Sequence, residues 1–263
     1  MNMLAFTTAL FVPGDRPERF AKAAVSGADA IIIDLEDAVA PENKRMARSA
    51  LITAFTSLPI ILRCNGAATR WHKDDLAAAA TLNLAAIMLP KAEMDGAIDE
   101  IYADAAMRLP LIALIETARG VADARAIAAH PAVHRIAFGS IDFCADLGCA
   151  HERDALLASR SELVLASRLA DLPAPVDGVT TVIEDADLIA DDARHGRALG
   201  FGGKLCIHPK QIAPVRAGFR PDPAEIAWAK RVLATGEGAA AVDGAMVDEP
   251  VRARARKILA LAD

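Results

Sequence analysis

The sequence predicts an α/β fold of the (β/α)8 TIM-barrel class with an additional C-terminal helix. Short apolar runs alternate with amphipathic segments roughly every 25–30 residues, as in repeated strand–helix units. A chain of 263 residues has the length of one such barrel. Charged residues follow several of the apolar runs directly, which is typical of strands whose carboxyl ends open into a site.

Eight apolar runs have the length and the aliphatic composition of buried parallel strands. They cover 4–12, 30–35, 60–64, 86–89, 111–115, 135–139, 176–182 and 203–207. Amphipathic segments between and after them predict helices at 17–26, 42–55, 74–82, 95–108, 154–170, 185–199 and 224–235. A doubly wound open sheet is the structural alternative. It is disfavoured because no GxGxxG motif follows the first strand, where the chain has VPGDRP instead.

We divide the chain into a barrel domain, residues 1–236, and a C-terminal arm, residues 237–263. A stretch rich in glycine and alanine, GEGAAAVDGAMVDEP, follows the last predicted barrel helix and leads into a basic helix at 251–261. A terminal helix behind such a linker suggests an arm that packs on a neighbouring subunit.

Composition excludes several classes of function. The net charge of −6 and a pI near 5.6 disfavour a nucleic-acid or anionic membrane surface. No apolar run has the ~18 residues of a membrane span, and the first residues lack the features of a signal peptide. The four cysteines show no zinc-binding spacing. We therefore expect a cytoplasmic protein with reduced cysteines.

Two acidic residues, Glu116 and Asp142, come at the ends of the fifth and sixth apolar runs. Parallel strands bring their carboxyl ends to one edge, so both carboxylates are expected at the same mouth. Oxygen ligands in small number suit a hard cation such as Mg²⁺, which leaves coordination positions for substrate. The alternatives are a helix cap at Asp142 and a surface carboxylate at Glu116. Asp146 lies one helical turn further on and is expected in the first turn of a helix instead.

Arg63 ends the third predicted strand, where a buried guanidinium needs an anionic partner. Its planar fork suits a substrate carboxylate, while an ion pair with Glu36 or Asp37 is the structural alternative. Both can hold if this acidic pair orients Arg63 and supports the site from behind. Asp34 lies one pleat before Glu36.

Two further residues have a structural and a functional alternative. Lys91 either faces an anion in the site or pairs with Glu93. His208, before a proline at the end of the eighth strand, is either a hydrogen-bonded structural group or a general base. The sequence contains no GxSxG elbow and no P-loop, so hydrolysis by an activated serine and nucleotide phosphate chemistry have no motif to support them.

Eight motifs occur in order along the whole chain: LFVPGDRPERF, IIIDLEDAV, LRCNG, LPKAE, LIETARG, FGSIDFCADLG, GKLCIHPKQI and MVDEP. Together they resemble the citrate lyase β-subunit-like (CitE-like) proteins of the aldolase/citrate lyase superfamily. The resemblance implies a (β/α)8 barrel, Mg²⁺ held at Glu116 and Asp142, and a keto-acid carboxylate bound by Arg63.

The resemblance also implies a reaction. Members of this family make or break a carbon–carbon bond next to a thioester carbonyl, as in malyl, citramalyl and citryl thioesters. The implied partners are therefore a keto acid and a CoA thioester. A homo-oligomer is implied too, with a trimer favoured, in which Asp248 of MVDEP completes a neighbour's site as the base or its assistant.

This chain departs from the family pattern at two places. Thr7 and Thr8 stand where members often have an arginine–serine pair, and Val182 stands where an aspartate is usual. Four other functions stay open. They are a malyl-CoA thioesterase at the same metal site, a citryl carrier-protein lyase subunit, a pyruvate class II aldolase, and a non-catalytic barrel subunit.

Overall fold

The computed structural model describes residues 4–104, 108–236, 238 and 240–262. Eight parallel strands close into a barrel in sequence order, and β1 pairs with both β2 and β8. The predicted barrel is confirmed, and the closure rules out the open sheet. The strands are β1 Thr8–Pro13, β2 Ala30–Asp34, β3 Ile60–Arg63, β4 Ala86–Leu89, β5 Leu111–Ile115, β6 Val133–Phe138, β7 Val176–Asp177 and β8 Gly203–Cys206.

The strands are apolar on both faces because each face is covered. In β2, Ile32 points into the barrel interior, whereas Ile31 and Ile33 pack outward against the helices. This two-sided burial explains why the strands appear in the sequence as continuous aliphatic runs. The interior is a packed core of small and branched side chains: Ala9, Ala30, Ile32, Ile61, Ala86, Met88, Ile112, Leu114, Ala137, Val176 and Leu205.

Helices surround the barrel, and at least one helix follows each strand along the chain. They are α1 Phe20–Ala24, α2 Lys44–Ser49, α3 His72–Ala79, α4 Ala97–Ala103, α5 Ala118–Ala122, α6 Ala124–Ala129, α7 Ser140–Leu147, α8 Arg153–Leu169, α9 Ala186–Leu199, α10 Ile212–Phe219, α11 Pro223–Ala234 and α12 Glu249–Ala260. Short 3₁₀ turns precede α1, α2 and α10. None of the described helices combines the length and the apolar composition needed to cross a membrane.

Six strands match their predicted bounds within two residues, whereas β1 and β7 are shorter than predicted. Before β1, Leu4 and Phe6 fill the end of the barrel instead of pairing as a strand. They are held there because Arg135 donates to both of their carbonyls, at 2.6 and 2.9 Å. After β7, the carbonyls of Thr180 and Val182 accept from the side-chain amide of a glutamine, Gln211.

The eighth barrel helix is not 224–235, as the sequence predicted, but α10, which contacts β1 and β8. Pro214 and Gly218 interrupt the helical pattern of α10, so the periodicity of the sequence does not predict this helix. Gly218 has a packing role. A Cβ at this position would lie within 3.0 Å of the Ala190 carbonyl and the Ala193 side chain on α9. The glycine therefore allows the close approach of α10 to α9.

The C-terminal residues form a small unit in which α11 packs on α12. An antiparallel hairpin, β9 Ala240–Val242 and β10 Ala245–Val247, lies in the stretch that the sequence analysis treated as a linker. Val247 joins the apolar cluster between the two helices. The division of the chain at residue 236 stays a prediction.

Replacing Gly218 by alanine should lower the free energy of unfolding by about 1–3 kcal/mol, because the added methyl overpacks the α9–α10 contact. Urea unfolding followed by circular dichroism measures this change. Gly66→Ala is the matched control, since a Cβ there meets nothing within 4 Å. Equal stability of the two variants would contradict the packing role.

Candidate active site

A cavity of about 380 Å³ opens at the carboxyl ends of the barrel strands. Its walls combine an apolar surface with charged groups from β2, β3, β5 and the start of α7. The lining residues are Phe11, Pro13, Asp34, Asp37, Ala38, Arg63, Leu114, Glu116, Phe138, Gly139, Ser140, Ile141, Asp142, Val179, Leu205 and Ile207.

Glu116 follows β5 directly. Glu116 and Asp34 are the most deeply buried acids of this cavity, each 1% exposed. Its Oε1 accepts from the backbone N–H of Lys91 at 2.9 Å. Gly139, after β6, leaves the space that this side chain occupies, because a Cβ there would lie within 3.0 Å of Glu116 Oε2 and Cβ. Burial, reinforced by the charge of Glu36, raises the pKa of Glu116 to about 8.

Asp142 lies in the first turn of α7, which begins immediately after β6. It is half-buried and lines the same cavity as Glu116. The N-cap position of α7 belongs to Gly139, so Asp142 is not the helix cap. Asp146, one turn later, accepts from the backbone N–H of Ala118 at 2.7 Å and does not line the cavity. The structure thus brings together the two carboxylates that the sequence paired.

Arg63 is held mainly by Asp34, which was not predicted as its partner. Nε and Nη2 each donate to a carboxylate oxygen of Asp34 at 2.7 Å. The signal was available, since Asp34 and Arg63 end adjacent strands and are register partners. Nη1 faces Glu36 Oε2 at 3.0 Å and Asp37 Oδ2 at 3.4 Å. The ion pairs with Glu36 and Asp37 that the sequence offered are therefore present.

Lys91 pairs with Glu36 and Glu116, not with Glu93. Its Nζ lies 2.9 Å from Glu36 Oε1 and 3.6 Å from Glu116 Oε1. The backbone of Lys91 has a φ of +50°, a conformation that side-chain-bearing residues seldom adopt. This backbone directs its N–H to Glu116. Glu93 instead accepts from the Thr117 hydroxyl at 2.7 Å.

Lys44 stabilises the backbone at the carboxyl end of β2, next to the acidic residues of the site. It was not predicted as a site residue. It is buried, and its Nζ donates to the carbonyls of Leu35 and Glu36 at 2.8 and 2.7 Å. Burial lowers the pKa of Lys44, and the carboxylates of the β2 end oppose that effect. The Asn65 side-chain amide shares the Leu35 carbonyl at 3.0 Å. The position of Glu36 is thus fixed through its backbone.

Two candidate residues lie away from the cavity. His208 caps the 3₁₀ turn before α10, where its Nδ1 accepts from Lys210 N, so its structural role is the one observed. Asp248 caps α12 by accepting from Val251 N and does not line the cavity of its own chain.

The two departures from the family pattern lie in different places. Thr8 begins β1, at the end of the barrel opposite the cavity, where its backbone N–H donates to Asp29. Val182 lines a second cavity next to the first.

Acidic groups outnumber basic groups in and behind the cavity. Five carboxyl groups, those of Asp34, Glu36, Asp37, Glu116 and Asp142, face three basic groups, those of Lys44, Arg63 and Lys91. Glu36 Oε2 is buried and has no partner in hydrogen-bond geometry. Three or more metal-binding side chains do not converge anywhere in the described part of the chain. The excess of carboxyl groups suits a hard cation, which prefers oxygen ligands.

Residues 7–209 match the model of the HpcH/HpaI aldolase/citrate lyase family. The chain belongs to this family. Its members include aldolases and citrate lyases, so this is an enzyme family, and the resemblance seen in the sequence motifs is confirmed. A citrate lyase subunit beta-like protein of Deinococcus radiodurans is 37% identical, covering 96% of this chain and 95% of the relative.

Two other similar proteins carry more chemical information. A (3S)-malyl-CoA thioesterase of Cereibacter sphaeroides is 37% identical, covering 98% of this chain and 95% of the relative. The crystal structure of CitE from Mycobacterium tuberculosis in complex with magnesium, acetoacetate and coenzyme A has a TM-score of 0.89 and 38% identity, covering 99% of each chain. The magnesium expected from the sequence is thus a ligand of a related barrel.

Without added metal, Glu116 should make the protein less stable as the pH rises. The unfolded chain loses this proton near pH 4.5, whereas the folded protein keeps it until about pH 8. The contribution to stability is therefore complete below pH 4.5 and lost as the pH rises through about 8. Glu116→Gln should remove this loss. Urea unfolding from pH 5 to pH 9 in the presence of a chelator measures it, and parallel pH curves for both proteins would contradict the assignment.

Proposed function

We propose that the chain is a Mg²⁺-dependent carbon–carbon lyase acting on a β-hydroxyacyl-CoA of the malyl, citramalyl or citryl type. The products of cleavage are acetyl-CoA and a keto acid, and the reverse reaction condenses them. One observation carries the proposal: Glu116 and Asp142 line one cavity with Arg63, in a site with an excess of carboxyl groups. A cation would allow this site to admit an anionic substrate.

Glu116 and Asp142 are the residues that would hold the cation, and their surroundings fit it. Glu116 keeps its proton at neutral pH because it is buried near other carboxylates, and a divalent cation would replace that proton. When bound, Mg²⁺ would supply Lewis-acid polarisation of the keto or hydroxy-acid oxygens. The magnesium complex of the related CitE structure supports this assignment.

Arg63 would bind the carboxylate of the keto acid and so fix the reacting carbon. Asp34 holds one edge of its guanidinium, which orients the other edge, Nη1, towards Asp37. Asp37 is the more exposed of the two Nη1 partners, with 57% of its side chain exposed against 10% for Glu36. Asp37 can therefore turn into solvent and yield its place to a substrate carboxylate. Glu36 would stay behind Arg63 as a support.

The proton of the β-hydroxyl needs a base, and we assign it to Asp248 from a neighbouring copy of the chain. Asp248 stands at the start of α12, in the C-terminal unit, and lies outside the cavity of its own chain. A homotrimer in which this unit reaches the next barrel would supply the carboxylate. In cleavage it would take the hydroxyl proton, and in condensation it would return it.

A second candidate is hydrolysis of malyl-CoA at the same site, favoured by the thioesterase among the relatives. The same base would then act on water, and the thioester bond would break instead of the carbon–carbon bond. A citryl carrier-protein substrate would change the partner but not this chemistry. A non-catalytic barrel would bind metal without turnover.

The test is to incubate the protein with Mg²⁺ and malyl-, citramalyl- or citryl-CoA and to identify the products by mass spectrometry. Acetyl-CoA plus a keto acid supports the lyase. Free hydroxy acid plus CoA without a keto acid supports the thioesterase, and no product from any thioester contradicts both. Glu116→Gln and Asp142→Asn should each lower kcat/KM by about 100-fold or more. Asp146→Asn is the matched control on the same helix.

Arg63→Lys should raise the KM for the keto acid in the condensation direction by about 10- to 100-fold, because an ammonium cannot keep the two-point pairing with Asp34 and also present a separate, oriented N–H to the substrate carboxylate. Steady-state kinetics with acetyl-CoA held at saturation measures it. Arg119→Lys is the control, since 73% of that side chain is exposed. An unchanged KM in the Arg63 variant would show that another group binds the carboxylate.

A further inference from the structure

A cavity of about 510 Å³ lies on the outside of the barrel, between α9, α10 and the start of α11. Its described lining carries four arginines and two acids, which gives it a formal charge of +2 in a chain whose net charge is −6. We call this cavity the arginine cleft. Its charged residues are Arg194 and Arg197 on α9, Arg216 on α10, Arg220 directly after α10, Asp222 and Glu225.

The arginine cleft lies at the opposite end of the barrel from the candidate active site. Arg216 Nη2 donates to the carbonyl of Gly27 at 2.7 Å and pairs with Asp29, and both of these residues precede β2. None of the described residues that line the cleft also lines the candidate active site. A ligand in the cleft would therefore be separate from the substrate and its metal.

The two acids of the cleft are committed to the start of α11. Asp222 and Glu225 form a capping box, in which Asp222 Oδ1 accepts from Glu225 N at 2.7 Å. Glu225 Oε2 accepts from Asp222 N at 2.9 Å and from Arg197 Nη2 at 2.7 Å. Within the cleft, these acids thus pair with one of the four arginines.

Much of the donor capacity of the arginines is unused. Arg194 donates through Nη2 to Asp191 at 3.2 Å, and Arg216 also uses its Nη2. Arg197 Nε is buried and has no hydrogen-bond partner in the described part of the chain. Arg220 is exposed, and its side chain makes no hydrogen bond or ion pair with the described residues. The cleft therefore combines a positive charge with free N–H donors.

We propose that the arginine cleft binds a small anion that carries phosphate groups. Its guanidinium donors come from α9, from α10 and from the turn before α11, and so approach a ligand from several directions. The tetrahedral oxygens of a phosphate accept from several directions and carry about two negative charges at neutral pH. A carboxylate is planar and carries a single charge, so it uses this arrangement less fully.

The position of the cleft gives such a ligand a structural effect. Helix α10 contacts β1 and β8 of the barrel, whereas α11 packs on α12 in the C-terminal unit. Pro221 and Pro223 restrict the short connection between the two helices. An anion bound between Arg216 and Arg220 would therefore tie the C-terminal unit to the barrel.

The test is calorimetric titration of the full chain with inorganic pyrophosphate, at low ionic strength and without Mg²⁺. We expect one site per chain with a Kd below about 1 mM, weakened by added salt. Arg220→Ala should raise this Kd at least about tenfold, because it removes a charged donor to the ligand. Arg168→Ala is the matched control, since 84% of that side chain is exposed on α8, and it should keep the wild-type Kd.

A thermal scan gives a second readout. Arg220→Ala without ligand should melt at the wild-type temperature, because its side chain contacts no described partner. Saturating pyrophosphate should raise the melting temperature of the wild type and leave that of Arg220→Ala almost unchanged. Arg194→Ala, a second exposed position in the cleft, should weaken binding in the same direction.

Two further ligands test the chemical class. Citrate carries carboxylates alone and should bind at least about tenfold more weakly than pyrophosphate. Adenosine diphosphate that binds more tightly than pyrophosphate assigns the site to nucleotides, and weaker binding assigns it to other phosphates. No pyrophosphate binding, an unchanged Kd in Arg220→Ala, or equal affinity for citrate overturns the proposal. These measurements use no turnover, so they stand or fall separately from the lyase function.

Discussion

The burial of Glu116 among other carboxyl groups is the constraint on which the site depends. A carboxyl group that is 1% exposed and has a pKa of about 8 is uncharged at neutral pH unless a cation joins it. The surrounding acids are held by basic groups, Asp34 by Arg63 and Glu36 by Lys91, which neutralise them only in part. The site therefore has the negative charge to bind a divalent cation, and the bound cation would in turn allow an anionic substrate to bind.

The barrel makes this concentration of charge possible. Parallel strands converge at their carboxyl ends, so Asp34 and Arg63 become partners in register although 29 residues separate them. Gly139, directly after β6, then lets the backbone pass close to Glu116, and α7 begins at the next residue and carries Asp142 into the cavity. Stability and function are coupled here, because the same backbone that closes the barrel fixes the distances between the charged side chains.

The sequence predicted the parts of the molecule that depend on repeated pattern. Aliphatic runs predicted the strands. Charged residues at or just beyond the ends of three of these runs identified Glu116, Asp142 and Arg63 as candidate site residues. Contacts between distant segments were harder to predict. Lys44, the first residue of α2, donates to the carbonyls of Leu35 and Glu36, and no periodicity in the sequence predicts such a bond. The helix α10 was not predicted because Pro214 and Gly218 interrupt its helical pattern, and at Gly218 close packing on α9 takes precedence over helical propensity.

Magnesium binding measured by calorimetry in two buffers of different ionisation enthalpy tests the central claim most directly, because it counts the protons released. Glu116 is mostly protonated at pH 7 in the metal-free protein, so the wild type should release about one proton for each Mg²⁺ bound, and almost none above about pH 9. Glu116→Gln should release none. Binding without proton release at pH 7, or equal release by the variant, would contradict the account.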